Sequence, residues 1–367
     1  MSSAVREEQQ QAVEEIIEVA PGVLRLQLPI SMPGLGHVNC YLLEDARGFA
    51  IVDPGLPGDE SWAALNAGLK RAGVPLARVH TVVVTHSHPD HFGGAGPVRA
   101  ETGADIVSHQ AFRLLFRFAT EPNHSDIDPE QLADGDASGR PLSEVTNEPG
   151  AVRTPWGKTP FVPMSVADRA KLMGSKYWVE PKPTIRLNDA DHIMLAGRRW
   201  VAVHTPGHTI DHLCLYDPEQ GVFLAGDHVL PTITPHIGGI EESSDPLNDY
   251  FVSLRRVAKL SNITTVLPAH GHPFTNLATR VDEIIEHHHG RLTRLSEASA
   301  ELDRPGTVND YMKFLFRERS WGSMAESETY AHLEHLRILG EASVERHSGD
   351  LEYQVSHPLP MAALTGD

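Results

Sequence analysis

From about residue 23 the chain alternates apolar and polar positions in short runs. Leu24, Leu26 and Leu28 alternate with Arg25 and Gln27, which predicts a half-buried strand over 23–28. Apolar runs at 38–43 and 49–52, separated by turn residues at 45–48, predict two more strands. Trp62, Leu65 and Leu69 then recur at helical spacing, and Gly73 supplies a C-terminal stop. The β-branched run Val82, Val83 and Val84 reads as a buried strand, followed by a helix through 92–100 and a strand at 106–107. Runs at 185–187, 193–195 and 200–203 predict strands of a second sheet, continued at 213–216, 222–224 and 264–267. One helix is expected from Asp245 and Pro246, which suit its cap and first turn, with Tyr250, Leu254 and Val257 on its buried face. Another is expected over 276–300. Strands and helices in alternation imply an α/β class with helices layered on sheets.

Three stretches depart from this rhythm. Residues 2–18 are polar and acidic, and predict a short helix over 7–17 on a solvated arm. Residues from about 110 to 183 form a long excursion, rich in Pro, Gly and acidic residues around 126–150. It carries Phe112, Leu115, Phe116, Phe118, Trp156, Phe161, Met164, Tyr177 and Trp178. Long excursions inside compact folds are usually functional, so this one is expected to be a lid. Its apolar content implies a substrate with a bulky apolar group, touched by Trp156, Tyr177 and Trp178. The third stretch, beyond about residue 300, predicts a helix over 306–316 and a second over 326–339, with Tyr330, Leu333 and Leu336 on one face. Two strands then flank a turn at 348–350. The expected organisation is an arm over 1–20, a main domain over 21–298 and a small module over 299–367.

The 367 residues suffice for one large core plus such an appendage. A net charge of −18 argues against non-specific binding to nucleic acid or anionic membrane. The chain has no apolar run long enough for a membrane span, and its first residues lack an apolar secretory core. Cys40 and Cys214 both sit in strand-like runs and read as small buried hydrophobes. The expected compartment is a reducing cytoplasm.

The chemistry concentrates in Thr85-His86-Ser87-His88-Pro89-Asp90-His91, directly after the Val82–Val84 run. Extended chain alternates its side chains, so His86 and His88 can point the same way. Asp90 and His91 fall on the next turn. Four ligands within six residues, imidazole and carboxylate, suit zinc, iron or manganese. The motif stands at the end of an expected strand, where α/β architectures place their sites.

This motif resembles the H-x-H-x-D-H signature of the metallo-β-lactamase-fold hydrolases. Thr205-Pro206-Gly207-His208-Thr209, Ala225-Gly226-Asp227-His228 and Pro268-Ala269-His270-Gly271 resemble the rest of that pattern, in order, across about residues 20 to 290. The resemblance implies a four-layer αββα sandwich and two divalent ions, zinc before iron or manganese. It places His86, His88 and His208 on one ion, Asp90, His91 and His270 on the other, and Asp227 as the bridge. A hydroxide between the ions would attack a carbonyl, and Asp90 would carry its proton to the leaving group. Asp53 either caps a following helix or, as the resemblance implies, sits beside the centre holding a ligand imidazole. His228 and His212 are read as supporting or structural residues, and His236 as a residue able to touch substrate. His287, His288 and His289 are adjacent on a helix, cannot converge on one ion, and are read as a solvated face.

The family includes thioesterases similar to glyoxalase II, lactonases, phosphodiesterases, ribonucleases and β-lactamases. The apolar lid favours carboxylic ester, thioester or lactone hydrolysis of a small molecule. No β-lactam-carboxylate anchor is readable. The alternatives are a phosphodiesterase or nuclease, and a mononuclear iron dioxygenase acting on a persulfide.

Helix, helix and hairpin in the last segment resemble a winged-helix module, which in other proteins often reads DNA. Charge argues otherwise here: from Glu301 to Asp367 there are twelve acidic residues against six Lys and Arg. Duplex binding rests on several cationic phosphate contacts. A packing or dimerisation module is therefore expected. Anisotropy titration of the full-length protein with duplex and single-stranded nucleic acid at low salt should show no micromolar binding. Binding that weakens steeply with added salt would overturn this and favour the nuclease reading.

Overall fold

The computed structural model describes residues 6–32, 34–114, 152–157, 160–161, 175, 177–240 and 243–360. Two compact units divide the chain. The first holds Met1–Arg113, Ala170–Pro235 and Asp249–Ile285, and the second Leu114–Arg169, His236–Asn248 and Glu286–Asp367.

The first unit opens with strands β1 (Ile17–Ala20), β2 (Val23–Met32), β3 (Leu35–Asp45) and β4 (Gly48–Val52), then helix α1 (Asp59–Arg71). Strand β5 (Val79–Val83), helices α2 (Pro89–Phe92) and α3 (Ala95–Thr102) and strand β6 (Asp105–His109) follow. A short antiparallel pair, β7 (Val152–Arg153) and β8 (Pro160–Phe161), belongs to the second unit. The chain re-enters the first unit through β9 (Ile185–Leu187), β10 (His192–Leu195), β11 (Arg198–His204), β12 (Leu213–Asp217) and β13 (Val222–Gly226). Helix α4 (Pro246–Val257), strand β14 (Thr265–Pro268) and helix α5 (Leu277–Leu302) complete this part, and a unit boundary falls inside each of the two helices.

Two mixed sheets form the first unit, one of seven strands in the order β1-β2-β3-β4-β5-β6-β9 and one of five in the order β10-β11-β12-β13-β14. Their inner faces make one core. Val23, Tyr41, Leu43, Val52, Val83 and Val107 meet Trp200, Leu213, Leu215, Leu224 and Leu267 there. The alternate positions Leu26, Ile51, Val82 and Ile106 are equally buried, and Gly68 of α1 lies against the Leu26 side chain. A strand covered on both faces must be apolar throughout, which explains the unbroken Val82–Val84 run. Each such side chain contributes about 1.5–3 kcal/mol relative to exposure. This is the α/β arrangement of helices layered on sheets expected from the sequence.

Four local expectations are corrected. Residues 7–17 do not form a helix: a 3₁₀ turn, Glu7–Gln9, leads through extended chain into β1. Nor is this arm simply solvated, since Glu8 is buried and accepts from the Thr232 hydroxyl, while the Gln10 carbonyl bonds His37 Nδ1. The 185–187 run joins the first sheet, not the second, because it pairs in parallel with β6, Val107 opposite Ile185. The helix expected over 92–100 is broken at Gly93 and Gly94, where added Cβ atoms would stand 2.0 Å from Pro57 N and 2.4 Å from the Pro54 carbonyl oxygen. Of the proposed lid, Leu115, Phe116, Phe118, Met164 and the acidic stretch around 126–150 lie outside the described residues.

The second unit ends with strand β15 (Gly306–Thr307), helices α6 (Val308–Leu315) and α7 (Ser323–Ile338), and strands β16 (Ala342–His347) and β17 (Asp350–Val355). A capping box starts α6: the Thr307 hydroxyl accepts from Asp310 N, and the Asp310 carboxylate accepts from Thr307 N. The expected helix, helix and hairpin are present. Strand β15 is not among the elements expected from sequence; it joins the hairpin, giving the order β15-β17-β16. Among the described residues no helix is long and apolar enough to cross a membrane.

One close approach yields a test. Gly207 has φ +134°, and a Cβ there would lie 2.5 Å from Cα and Cβ of Tyr250. Gly207→Ala combines backbone strain with a backbone clash and should cost on the order of 3 kcal/mol. Urea denaturation measures it, and an unchanged midpoint would rule out the close approach.

Candidate metal centre

Strand register sets the site. β4 and β5 run parallel with Val52 opposite Val83, so Asp53, one residue past β4, and Thr85, two residues past β5, fall side by side. Asp53 takes φ +53°, an uncommon conformation for a residue with a side chain. Three hydrogen bonds hold it there. Its Oδ1 accepts from Thr85 N at 2.9 Å, and its Oδ2 accepts from the Thr85 hydroxyl at 2.8 Å and from His91 Nδ1 at 2.9 Å. The strained aspartate thus joins two strand ends and orients one imidazole.

The same arrangement recurs at two other histidines. His270 Nδ1 donates to the His37 carbonyl at 2.9 Å. His86 Nδ1 lies 3.0 Å from the Thr85 hydroxyl, whose own proton goes to Asp53. With each Nδ1 engaged, the lone pair of each Nε2 faces the centre. The loop bearing His270 is clamped in turn. The Asn39 side chain donates to the carbonyls of Pro268 and Gly271 at 2.9 and 2.7 Å, and Tyr41 Oη donates to Pro268 at 2.6 Å. Asp227 is held through its backbone: its N–H donates to His212 Nε2 at 3.0 Å, and His212 Nδ1 lies 2.8 Å from the Thr205 hydroxyl.

Two groups of donors result. His88 Nδ1 lies 3.0 Å from His86 Nε2 and 3.1 Å from His208 Nε2, and Asp227 Oδ2 stands 3.9 and 3.6 Å from the latter two. In the second group Asp90 Oδ2 lies 3.5 Å from His91 Nε2 and 3.4 Å from His270 Nε2. Asp227 reaches this group too, Oδ1 at 3.4 Å from His270 Nε2 and Oδ2 at 3.6 Å from His91 Nε2. All donor atoms in each group fall within 4.8 Å of one another.

These spacings do not satisfy the atoms they bring together. His91 Nε2, His270 Nε2 and Asp227 Oδ1 are buried without a hydrogen-bond partner. Orphaned buried polar atoms are costly, and converging imidazole nitrogens and carboxylate oxygens fit a divalent cation. Electrostatics point the same way. Burial pushes the Asp90 carboxyl up, but His91 and His270 outweigh it and hold it at about 2. Burial likewise pushes Asp227 up, and His270 and His91 bring it well below the ordinary carboxylate range. His86 and His88 are driven down, chiefly by burial and then by neighbouring imidazoles, His88 to about 3. His91 is pulled down by burial yet ends well above its ordinary value, because Asp90, Asp227 and Asp53 surround it. Three carboxylates around one imidazole make this a strongly negative pocket, suited to a cation.

The other residues singled out from sequence are distributed as follows. His228 is buried beside the centre, its ring edge-on to Tyr250, whose hydroxyl bonds the His228 carbonyl. Tyr177 stacks on Trp62 at 5.2 Å, and Trp178 meets Phe92 of α2 edge-on at 6.3 Å. Trp156 is a packing residue of the second unit. It is buried at 4.9 Å from Tyr330, with Nε1 on Glu326, which leaves its ring little surface for a substrate. His236 Nδ1 stands 3.5 Å from Glu328 Oε2, also within the second unit. Thr85, His37, Asn39 and Tyr41 hold the gathered side chains and their loops in place, and sequence reasoning misses this. Thr85 heads the histidine motif, but the other three are ordinary strand residues whose role depends on which loop they meet.

A family model described as the Metallo-beta-lactamase superfamily matches residues 33–270. The chain is 26% identical over 269 residues to the probable metallo-hydrolase YqjP of Bacillus subtilis (strain 168), covering 71% of this chain and 75% of that protein. It is 25% identical over 301 residues to the lactamase-like protein adaB of Aspergillus niger, covering 81% and 67%. Among solved structures it is similar to a metallo-beta-lactamase family protein from Thermus thermophilus. That comparison has a TM-score of 0.69 and 27% identity, and covers 92% of this chain and all of that one. A beta-lactamase domain protein from Burkholderia ambifaria is similar at the same TM-score of 0.69 and 27% identity, covering 94% and 95%.

Removing the acceptor behind His91 should loosen a bound metal without removing a ligand. Asp53→Ala is expected to weaken metal affinity by about 10–100-fold, as loss of such outer partners typically does. A chelator competition titration reads this directly. Wild-type affinity in that variant would reduce Asp53 to a purely structural turn residue.

Proposed function

The chain belongs to the metallo-beta-lactamase superfamily, and on that premise we propose that it is a metal-dependent hydrolase of a carboxylic ester, thioester or lactone bearing a bulky apolar group. The observation that carries the reading is the convergence of His86, His88, His208 and Asp227 beside Asp90, His91 and His270. Its similarity to the probable metallo-hydrolase YqjP supports the reaction class.

In this reading His86, His88 and His208 would hold one divalent ion, Asp90, His91 and His270 a second, and Asp227 would serve both. Two ions match the two groups of donors, and imidazole with carboxylate suits zinc before iron or manganese. When bound, such ions supply Lewis acidity, activating water near neutral pH and polarising a carbonyl oxygen. The protein's own groups do the rest. Asp90, ionised and buried, accepts the proton of the attacking water and returns it to the leaving group. Asp53, Thr85 and the His37 carbonyl keep the imidazoles in the tautomer that presents Nε2.

The preference for an apolar group rests on Tyr177 and Trp178. Both are half-buried against the helices that flank the motif, Trp178 against Phe92, directly after His91. We assign them to the substrate side. Residues 299–367 are read as a winged-helix-like packing or dimerisation module, and the two free, buried cysteines suit a cytoplasmic protein.

Asp227→Ala should abolish hydrolysis and lower metal content at both positions. Asp90→Asn should lower kcat by about 10²–10⁴ with the fold intact. Elemental analysis alongside thioester, lactone and phosphodiester assays checks both. Full metal loading and turnover in Asp227→Ala would refute the shared carboxylate. Turnover confined to phosphodiesters would move the substrate class to phosphorus.

A further inference from the structure

The second unit buries another set of ligand-type side chains. His288 of α5 and Glu328 and His332 of α7 bring one donor atom each within 4.8 Å of one another, and all three are buried. The sequence pattern alone suggests a solvated face for His287, His288 and His289. Successive helical residues point in different directions, and here His287 is exposed while His288 turns into the unit. Glu328 and His332 are four apart on α7 and therefore share a face.

Hydrogen bonds decide which lone pairs face the cluster. His332 Nδ1 donates to the backbone carbonyl of Glu328 at 2.7 Å, so its Nε2 carries the lone pair. That Nε2 lies 3.0 Å from His288 Nδ1. The same spacing separates the facing imidazole nitrogens of the first centre, 3.0 Å for His86 and His88 and 3.1 Å for His88 and His208. Two imidazoles so placed share either a proton or a cation, and the third donor favours the cation. A neutral histidine pair needs no buried carboxylate beside it. Glu328 supplies one, its Oε1 bonded to Arg291 and its Oε2 3.5 Å from His236 Nδ1. Burial above all keeps both imidazoles neutral, and so able to ligate, His332 at about 3.

We propose that His288 Nδ1, His332 Nε2 and the Glu328 carboxylate form a zinc site that ties helix α5 to helix α7, with His236 or a water as the fourth ligand. Two imidazoles, a carboxylate and one further donor complete a tetrahedral shell. The ion would act structurally, its binding energy adding to the stability of this unit. It is independent of the hydrolytic centre, since no residue is shared.

The decisive measurement is anomalous diffraction at the zinc edge from wild-type crystals grown with excess zinc chloride. A peak is expected among the three side chains, with ligand distances of about 2.0–2.2 Å. Chelator-stripped protein titrated with zinc should bind one equivalent fewer in His288→Ala or His332→Ala than in wild type, whatever the first centre holds. In an Asp227→Ala background, zinc should still raise Tm, and adding His332→Ala should remove that shift. Anomalous density confined to the His86–His270 centre would overturn the proposal without reference to any variant. So would equal zinc equivalents in wild type and a folded His288→Ala, His332→Ala double variant.

Discussion

Asp90 and Asp227 are buried carboxylates gathered with five buried or half-buried imidazoles, and their mutual distances of 3.0 to 3.9 Å are set by the scaffold. Placing so many polar groups out of water is unfavourable unless each is held and finally paired. The first unit meets that requirement from behind. Asp53 braces His91, Thr85 braces His86, and the His37 carbonyl braces His270. The Asp53 backbone at φ +53° is the local strain that this bracing sustains.

The bracing extends well beyond the motifs. Asn39 and Tyr41 of β3 fasten the Pro268–Gly271 turn, so a strand from the first sheet fixes a ligand loop at the end of the second. His37, which holds His270, is itself held by Gln27 at 3.0 Å and by the Gln10 carbonyl at 3.0 Å. The N-terminal segment thereby contributes to the site at two removes. The apolar core between the sheets keeps both strand ends in register while the polar groups assemble above it.

The second unit uses polar groups inside as well. Arg291 pairs with Glu328, and His335 with Asp245 at 3.0 Å, all with little exposure. Breaking a buried pair leaves an uncompensated charge, typically at a cost of about 3–5 kcal/mol. Such pairs specify how helices face one another more than they add net stability. A metal at His288, Glu328 and His332 would serve the same end.

Resemblance picked out the seven His and Asp residues that the fold gathers, while local pattern was enough for most of the strands and for α4, whose Asp245 cap indeed accepts from Asn248 N at 3.0 Å. These depend on side-chain alternation, helical spacing and capping chemistry, all of which act within a few residues. The features the sequence did not reveal are long-range. β9 chose its sheet by pairing with β6, which lies more than seventy residues earlier in the chain. The helix after the motif broke because Gly93 and Gly94 must admit the backbone at Pro54 and Pro57. Glu8 and His288 became buried, and Trp156 became a packing residue, because of partners distant in sequence. Candidate ligands are thus legible from residue type and spacing, whereas burial, tautomer and second partners exist only once distant segments of the chain have packed together.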